Sequence, residues 1–200
     1  MIRIEKLSED NFHHYEFLTT LDKEKPCYCS WWHINPESME NYDQEKRDNP
    51  EKFRNCIYSK VQSGFHVGVI AFEDETPMAW ISIGPVNQFF WAWKRTLDLQ
   101  EKAEKTAAIM CFNTAPIFRG KNKFIPIMEA LMEYGRKQNW LAIEGYPFDD
   151  SALKKHGDAV LWPGLTSEFL ECGFNRIAPH WLSNDNAERS IYSKNLQIHA

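Results

Sequence analysis

The sequence of 200 residues lacks long apolar segments, a secretion leader and repeats. No apolar run approaches the roughly 20 residues that cross a bilayer, so we expect no membrane partner. The amino terminus lacks the charged start and apolar core of a secretion signal, which predicts a cytoplasmic protein. Linkers and low-complexity tracts are also absent, and this absence predicts a single domain over residues 1–200.

The cysteines are odd in number, and positive charges are fewer than negative ones. Five cysteines cannot all pair with one another, and several lie among apolar residues, so we expect thiols in a reducing compartment. Lys and Arg number 23 against 28 Asp and Glu, which leaves a net charge of −5. A general nucleic-acid-binding protein would carry a basic surplus, so we predict no nucleic-acid partner.

The chain has instead enough apolar residues for a full core, at 43% hydrophobic and 14% aromatic. Short alternating or continuous apolar runs favour strands, and apolar residues spaced by three and four favour helices. Along the chain these patterns predict elements in the order β-α-α-β-β-β-α-β-α-β-β.

Residues 107–138 contain the most informative pattern. An uncharged run at 107–112 predicts a buried strand, and a loop rich in Arg and Lys follows at 118–123. From Phe124 onward, Ile127, Met128 and Leu131 form the apolar face of a helix. The first turn of a helix leaves backbone N–H groups without partners and is partly positive, so this order predicts an anion site. The alternative is an ordinary strand-to-helix turn with a solvated basic face.

This stretch resembles the coenzyme A loop of the GNAT family of N-acetyltransferases. The family pattern is Arg or Gln, two residues, Gly, one residue, and then Gly or Ala. Arg119 fills the first place, whereas Asn122 and Phe124 replace the two small residues. Asparagine tolerates left-handed geometry and can keep the shape of the loop, but the bulk of Phe124 is expected to narrow the approach of the phosphates.

The resemblance implies acetyl-CoA as co-substrate. Its contacts are expected from the backbone at the end of the strand and from the loop. The residues concerned are Phe112, Asn113, Thr114, Arg119, Gly120, Lys121, Asn122, Lys123 and Phe124.

Two further segments resemble the acceptor side of the family. The CxCxxW segment that ends at Trp32 is similar to one subgroup, in which it lies near the acceptor, and this implies acceptor contacts by Trp31 and Trp32. Residues 80–85 resemble the family's GWxxxGP form and imply contacts by Gly84 and Pro85. The aromatic residues at 89–93 are interpreted as a core plug or, alternatively, as an apolar lid.

A metal site is the competing interpretation of the CxCxxW segment. Cys27, Cys29 and His33 have ligand chemistry, but no second Cys or His pair accompanies them. We therefore favour packing or a substrate wall and predict no bound metal.

The strand predicted at 140–146 supplies the candidate catalytic groups. Glu144 and Tyr146 alternate onto one face, and the segment resembles the family's splayed fifth strand. Glu144 is a candidate base, with a solvent-exposed carboxylate or a salt bridge as the alternative. Phe169 stands where the family often has a tyrosine acid, which leaves Tyr146 as the candidate proton donor.

The resemblance covers nearly the whole chain. It implies a single α/β domain of GNAT-like fold, with a mixed sheet of six to seven strands and helices on both faces. The implied activity is transfer of an acetyl or other short acyl group from acetyl-CoA to the amine of a small molecule or peptide, by a monomer or homodimer. The alternative, favoured by Asn122, Phe124 and Phe169, is a non-catalytic protein that binds a small ligand or a partner.

Overall fold

The computed structural model describes residues 1–21, 28–35, 41–151, 163–181, 183 and 189–197. The strands are β1 (Ile2–Lys6), β2 (Val69–Glu73), β3 (Thr76–Pro85), β4 (Thr106–Thr114), β5 (Ala142–Gly145), β6 (Asn175–Pro179) and β7 (Ser190–Asn195). The α-helices in these ranges are α1 (Phe12–Thr19), α2 (Tyr42–Asp48), α3 (Pro50–Gln62), α4 (Trp93–Leu99), α5 (Phe124–Lys137) and α6 (Thr166–Glu171).

The seven strands form one sheet in the order β1-β2-β3-β4-β5-β7-β6. β4 and β5 run parallel, and the other neighbouring strands run antiparallel. The mixed sheet of six to seven strands predicted from the sequence is therefore confirmed. Helix α5 connects β4 to β5, as expected for a parallel crossover.

Helices cover both faces of the sheet. On β4, the ring of Phe112 packs against Phe124 of α5. The neighbouring Asn113 donates from Nδ2 to the carbonyl of Leu18 in α1 at 2.6 Å. Because successive side chains of a strand point to opposite faces, α1 and α5 lie on opposite sides.

Two of the observed helices, α2 and α4, are missing from the predicted order. Neither helix has a buried apolar residue among its members. A prediction based on an apolar face therefore has nothing to detect in α2, which is almost entirely polar. In α4 the pattern is inverted, since Trp93 and Leu97 are exposed while Arg95 is largely buried.

The core lies on both sides of the central strands. Trp80 of β3 is fully buried and meets the ring of Tyr15 of α1 edge to face, with centroids 4.7 Å apart. The Tyr15 hydroxyl donates to the carbonyl of Tyr28 at 2.5 Å and ties that segment to α1. None of the described helices is long and apolar enough to cross a membrane.

Candidate active site

The sheet opens between β4 and β5. Their parallel register begins at Thr106 opposite Ala142 and stops at Ile109 opposite Gly145. β4 continues to Thr114, and its other edge stays paired with β3 as far as Ala79. Within the described part of the chain, no strand pairs with the β5-facing edge of β4 beyond Ile109. We call the opening beyond this point the cleft.

A β-bulge lies where the cleft begins. Ser82 of β3 faces Cys111, whereas the next residue, Ile83, faces Ile109, so Met110 is an additional residue in β4. A bulge bends its strand and increases the local twist. The bulge therefore coincides with the point at which β4 separates from β5.

The basic loop follows the open end of β4. Asn122 adopts φ 51° and Gly120 φ 68°, both in the left-handed region. This agrees with the expectation that asparagine keeps the shape of the loop at a position where the family has glycine. The loop leads into α5, whose first residue is Phe124 and whose N-cap, Lys123, makes no capping hydrogen bond from its side chain.

The three cations of the loop differ in their surroundings. Arg119 donates from Nε to the carbonyl of Thr114 at 2.8 Å and is exposed. Lys121 is also exposed. The ammonium of Lys123 forms an ion pair with Glu73 at the end of β2, with a 2.5 Å N–O distance. Arg119 and Lys121 are thus the loop cations most available to an anionic ligand.

Phenylalanine rings cross the cleft on the α5 side. The ring of Phe124 lies 5.2 Å from that of Phe112 in β4 and 5.6 Å from that of Phe169 in α6. Phe169 is fully buried. A Cβ placed on Gly145 would lie 2.0 Å from the Phe169 ring, so this ring packs directly on the backbone of β5. The rings therefore bridge the two strands where their pairing has ended.

On the α1 side of the cleft, Glu144 forms a buried ion pair with Arg95 of α4. The guanidinium donates from Nε to both carboxylate oxygens at 3.1 and 2.8 Å, and from a terminal nitrogen to Oε1 at 2.6 Å. Glu144 is 1% exposed. Tyr146 donates its hydroxyl to Oε2 of Glu144 at 3.4 Å. Glu144 and Tyr146 are thus in contact. Glu144 also forms a salt bridge with Arg95, which is one of the alternatives that the sequence left open beside the role of a base.

Burial and charge set the protonation states around this ion pair. Burial raises the pKa of Tyr146 well above 10, and the negative charge of Glu144 raises it further. The hydrogen bonds to Glu144 raise the pKa of Arg95 above its usual value. At neutral pH the phenol therefore keeps its proton, and the guanidinium keeps its charge.

The two tryptophans of the CxCxxW segment occupy different environments. Trp31 is partly exposed and stacks on Trp91, with centroids 5.0 Å apart and planes at 17°. Trp32 is 6% exposed and belongs to the core. In the aromatic stretch that follows β3, Phe89 is buried whereas Phe90 is 43% exposed. The stretch thus has both core and surface members, and Trp31 is the tryptophan of the segment that a ligand could reach.

Gly84 and Pro85 lie away from the open end of β4. They pair with Ala108 and Ala107, on the closed side of the bulge. Ala108 is four residues before Phe112, or roughly 13 Å along a strand at about 3.3 Å per residue. A Cβ on Gly84 would lie 1.9 Å from the backbone oxygen of His66, which gives this glycine a packing role. Acceptor contact by these two residues stays a prediction.

The metal interpretation involves residues that are only partly described, because Cys27 lies outside the described ranges. His33 is 8% exposed and its ring packs on Phe89. Burial lowers the pKa of His33 to about 3, so the ring is neutral. The described residues contain no cluster of three or more potential metal ligands.

Sequence reasoning missed Arg95. One signal was present, because a carboxylate on a buried strand needs a cationic or hydrogen-bonding partner to offset its desolvation. That signal predicts a partner for Glu144 but does not select one among the 23 Lys and Arg residues.

The burial of the ion pair generates a stability prediction. Arg95→Met leaves a buried carboxylate without its cation and should lower the free energy of unfolding by about 3–5 kcal/mol. The double variant Arg95→Met/Glu144→Gln should lose less, since it removes both charges. Urea denaturation measures these differences.

A matched control is the exposed pair between Lys52 and Glu45, whose N–O distance is 2.8 Å. Lys52→Met should cost no more than about 1 kcal/mol. An equal cost for Lys52→Met and Arg95→Met would contradict the burial of the Arg95–Glu144 pair.

Comparison with solved structures identifies the fold. The aminoglycoside acetyltransferase AAC(6')-Ib in complex with coenzyme A is 12% identical, with 98% of this chain and 95% of that chain covered and a TM-score of 0.60. The same enzyme with ribostamycin and coenzyme A is 14% identical, with 97% and 93% covered and a TM-score of 0.60. A GNAT-family acetyltransferase from Bacillus cereus is 13% identical, with 98% and 97% covered and a TM-score of 0.51.

No protein-family model and no curated protein matches the sequence. At such low sequence identity, structural similarity shows the fold alone. The activity has to be argued from the residues of the site. The sequence-based expectation of a GNAT-like fold is confirmed: this chain has the α/β fold of the GNAT N-acetyltransferases.

Proposed function

We propose that the protein transfers an acetyl or other short acyl group from acetyl-CoA to an amine of a small molecule or peptide. The observation that carries this proposal is the edge of β4 beyond Ile109, with which no described strand pairs. β4 ends at Thr114, and the short 3₁₀ helix Pro116–Phe118 leads from it into the basic loop and the start of α5. An extended ligand with amide groups can pair with such an edge, and a phosphate can bind at a helix N-terminus. Acetyl-CoA has both parts in one molecule.

The coenzyme would lie along the cleft from the loop to the bulge. Its pantetheine amides would bond the backbone of residues 112–114, and its pyrophosphate would lie at the N-terminus of α5. Arg119 and Lys121 would supply charge there, together with the backbone of Gly120, Asn122, Lys123 and Phe124. Coenzyme A in the AAC(6')-Ib structures of the same fold supports this assignment.

The acceptor would approach from the α1 side, where the Glu144 ion pair and the partly exposed Trp31 lie. AAC(6')-Ib has been solved with ribostamycin and coenzyme A together, which supports a small-molecule amine as acceptor. We assign Trp31 to the wall of this acceptor site. Trp32 would support the wall from the core.

The proposed reaction is direct attack of the amine on the thioester. The amine nitrogen forms a bond to the acetyl carbonyl carbon, the carbon–sulfur bond breaks, and coenzyme A leaves as a thiolate. Glu144, or a water that it holds, takes the amine proton, and the protonated Tyr146 donates to the thiolate. Holding both substrates in one cleft supplies much of the acceleration.

Two measurements test the function. Calorimetric titration should detect acetyl-CoA binding, and a thiol-release assay with a panel of amines should detect turnover. Binding without turnover for any amine supports the non-catalytic alternative. No binding at millimolar acetyl-CoA overturns the acetyltransferase proposal.

Arg119→Ala should weaken acetyl-CoA binding about tenfold or more. A charge-assisted contact to phosphate is worth roughly 1.5–3 kcal/mol, and about 1.4 kcal/mol corresponds to a factor of ten. Arg136→Ala is the matched control, since Arg136 is in the last turn of α5 and pairs with Glu133. Equal affinities of the two variants would remove Arg119 from the proposed site.

Phe124→Ala should strengthen acetyl-CoA binding by at least about threefold, or roughly 0.7 kcal/mol. The physical reason is that the ring bridges Phe112 and Phe169 across the cleft, so its removal widens the path of the coenzyme. Phe65→Ala is the control, since that ring is 38% exposed and packs with Lys60. Weaker binding by Phe124→Ala would mean that the ring supports the coenzyme.

Glu144→Gln should lower kcat at neutral pH at least about tenfold and leave the acetyl-CoA Kd unchanged. General base catalysis contributes about 10²–10⁴-fold, and glutamine keeps the volume of the side chain without its basicity. Arg95→Met is the matched control, since it breaks the same ion pair and keeps the Glu144 carboxylate, so it should retain more of kcat than Glu144→Gln. A kcat equal to that of the unaltered protein would remove Glu144 from the mechanism.

A further inference from the structure

Two thiols meet between the CxCxxW segment and β4. The Cys29 thiol donates to the sulfur of Cys111 at 3.2 Å, although the two residues are 82 positions apart in the chain. Both side chains are buried, at 4% and 6% exposed. Neither residue is in a disulfide. This contact has no part in the proposed acetyl transfer.

The backbone around Cys29 holds its sulfur toward β4. Cys29 has φ 49° and ψ 22°, a left-handed conformation that is uncommon for a residue other than glycine. The preceding residue, Tyr28, is fixed through its carbonyl by the hydroxyl of Tyr15. Two residues later, Trp31 is stacked on Trp91. The segment is thus anchored on both sides of Cys29.

Cys111 lies in β4 close to the point where the pairing with β5 ends. It directly follows the bulge residue Met110 and directly precedes Phe112, just beyond the last residue of β4 that pairs with β5. A covalent bond between Cys29 and Cys111 would therefore fix the CxCxxW segment to the strand that borders the cleft.

We propose that Cys29 and Cys111 are a redox modification site that forms a disulfide when the protein meets a peroxide. One thiolate attacks a peroxide oxygen, the O–O bond breaks, and a sulfenic acid and one water result. The second thiolate attacks the sulfenic sulfur, the S–S bond forms, and the S–O bond breaks to release a second water. The two thiols lose two electrons, which reduce one hydrogen peroxide to two waters.

The geometry favours this pair over the other described thiols. A disulfide has a sulfur–sulfur distance of about 2.05 Å, so the two sulfur atoms must approach by only about 1.2 Å. In the described part of the chain, Cys56 and Cys172 have no thiol within hydrogen-bond distance.

The test is peptide mapping of the full-length protein after treatment with dilute hydrogen peroxide and alkylation of the remaining thiols. The expected product is one peptide pair that joins Cys29 to Cys111, with a mass lower by two hydrogens and reversible by dithiothreitol. Cys56 and Cys172 should be alkylated. A disulfide from Cys29 to Cys27, or alkylation of both Cys29 and Cys111, overturns the proposal.

Variants and a thermal scan complete the test. Cys56→Ser and Cys172→Ser should keep the cross-link, whereas Cys29→Ser should abolish it. Closing so long a loop should raise Tm by about 5 °C or more in the oxidised protein. These readouts do not use acetyl transfer, so they decide the disulfide whether or not the proposed activity is found.

Discussion

Backbone N–H and C=O groups need hydrogen-bond partners. β4 has more of these groups along its edge than the shorter β5 can pair with. β5 has four residues and β4 has nine, so pairing ends at Ile109 while β4 runs on to Thr114. Beyond Ile109 no described strand pairs with this edge of β4, and the bulge at Met110 lies where the pairing with β5 ends. A ligand with its own amide groups is the natural complement of such an edge.

Aromatic rings pack against β4 and β5 where the two strands separate. Phe169 of α6 packs its ring on the backbone of Gly145, where a side chain on the strand would collide with it. The ring leads through Phe124 to Phe112, so aromatic packing replaces strand pairing across the opening. The departures of Phe124 and Phe169 from the family pattern thus act together. Their rings pack together across the opening on its α5 side.

On the α1 side of the cleft, a buried ion pair joins two elements of the fold. The Arg95–Glu144 ion pair ties the helix that precedes β4 to the strand that borders the opening. A buried ion pair adds little net stability over an apolar pair of equal size, but it is costly to break and therefore restricts the geometry of the elements that it joins. In this protein it places a carboxylate and a phenol on the α1 side of the cleft in one defined arrangement. Helix α4 has Arg95 inward and Trp93 outward, and this orientation brings the guanidinium to the Glu144 carboxylate.

The sequence by itself determined most of the local structure. Apolar spacing predicted α5, the uncharged run at 107–112 predicted β4, and the basic loop before Phe124 was evident from charge alone. These features depend on neighbours a few positions apart, and local periodicity records them. The left-handed backbone at Asn122 was also predictable, since few residue types adopt it readily.

Only the tertiary structure decided which distant residues meet. The pairing of Glu144 with Arg95, the contact of Cys29 with Cys111 and the ion pair of Lys123 with Glu73 join residues that are between 49 and 82 positions apart. A sequence shows that a buried acid needs a cation, but many cations satisfy that need equally well. The choice among them depends on the packing of whole elements, such as the inverted face of α4, and no local pattern records it because the partners lie on different parts of the chain.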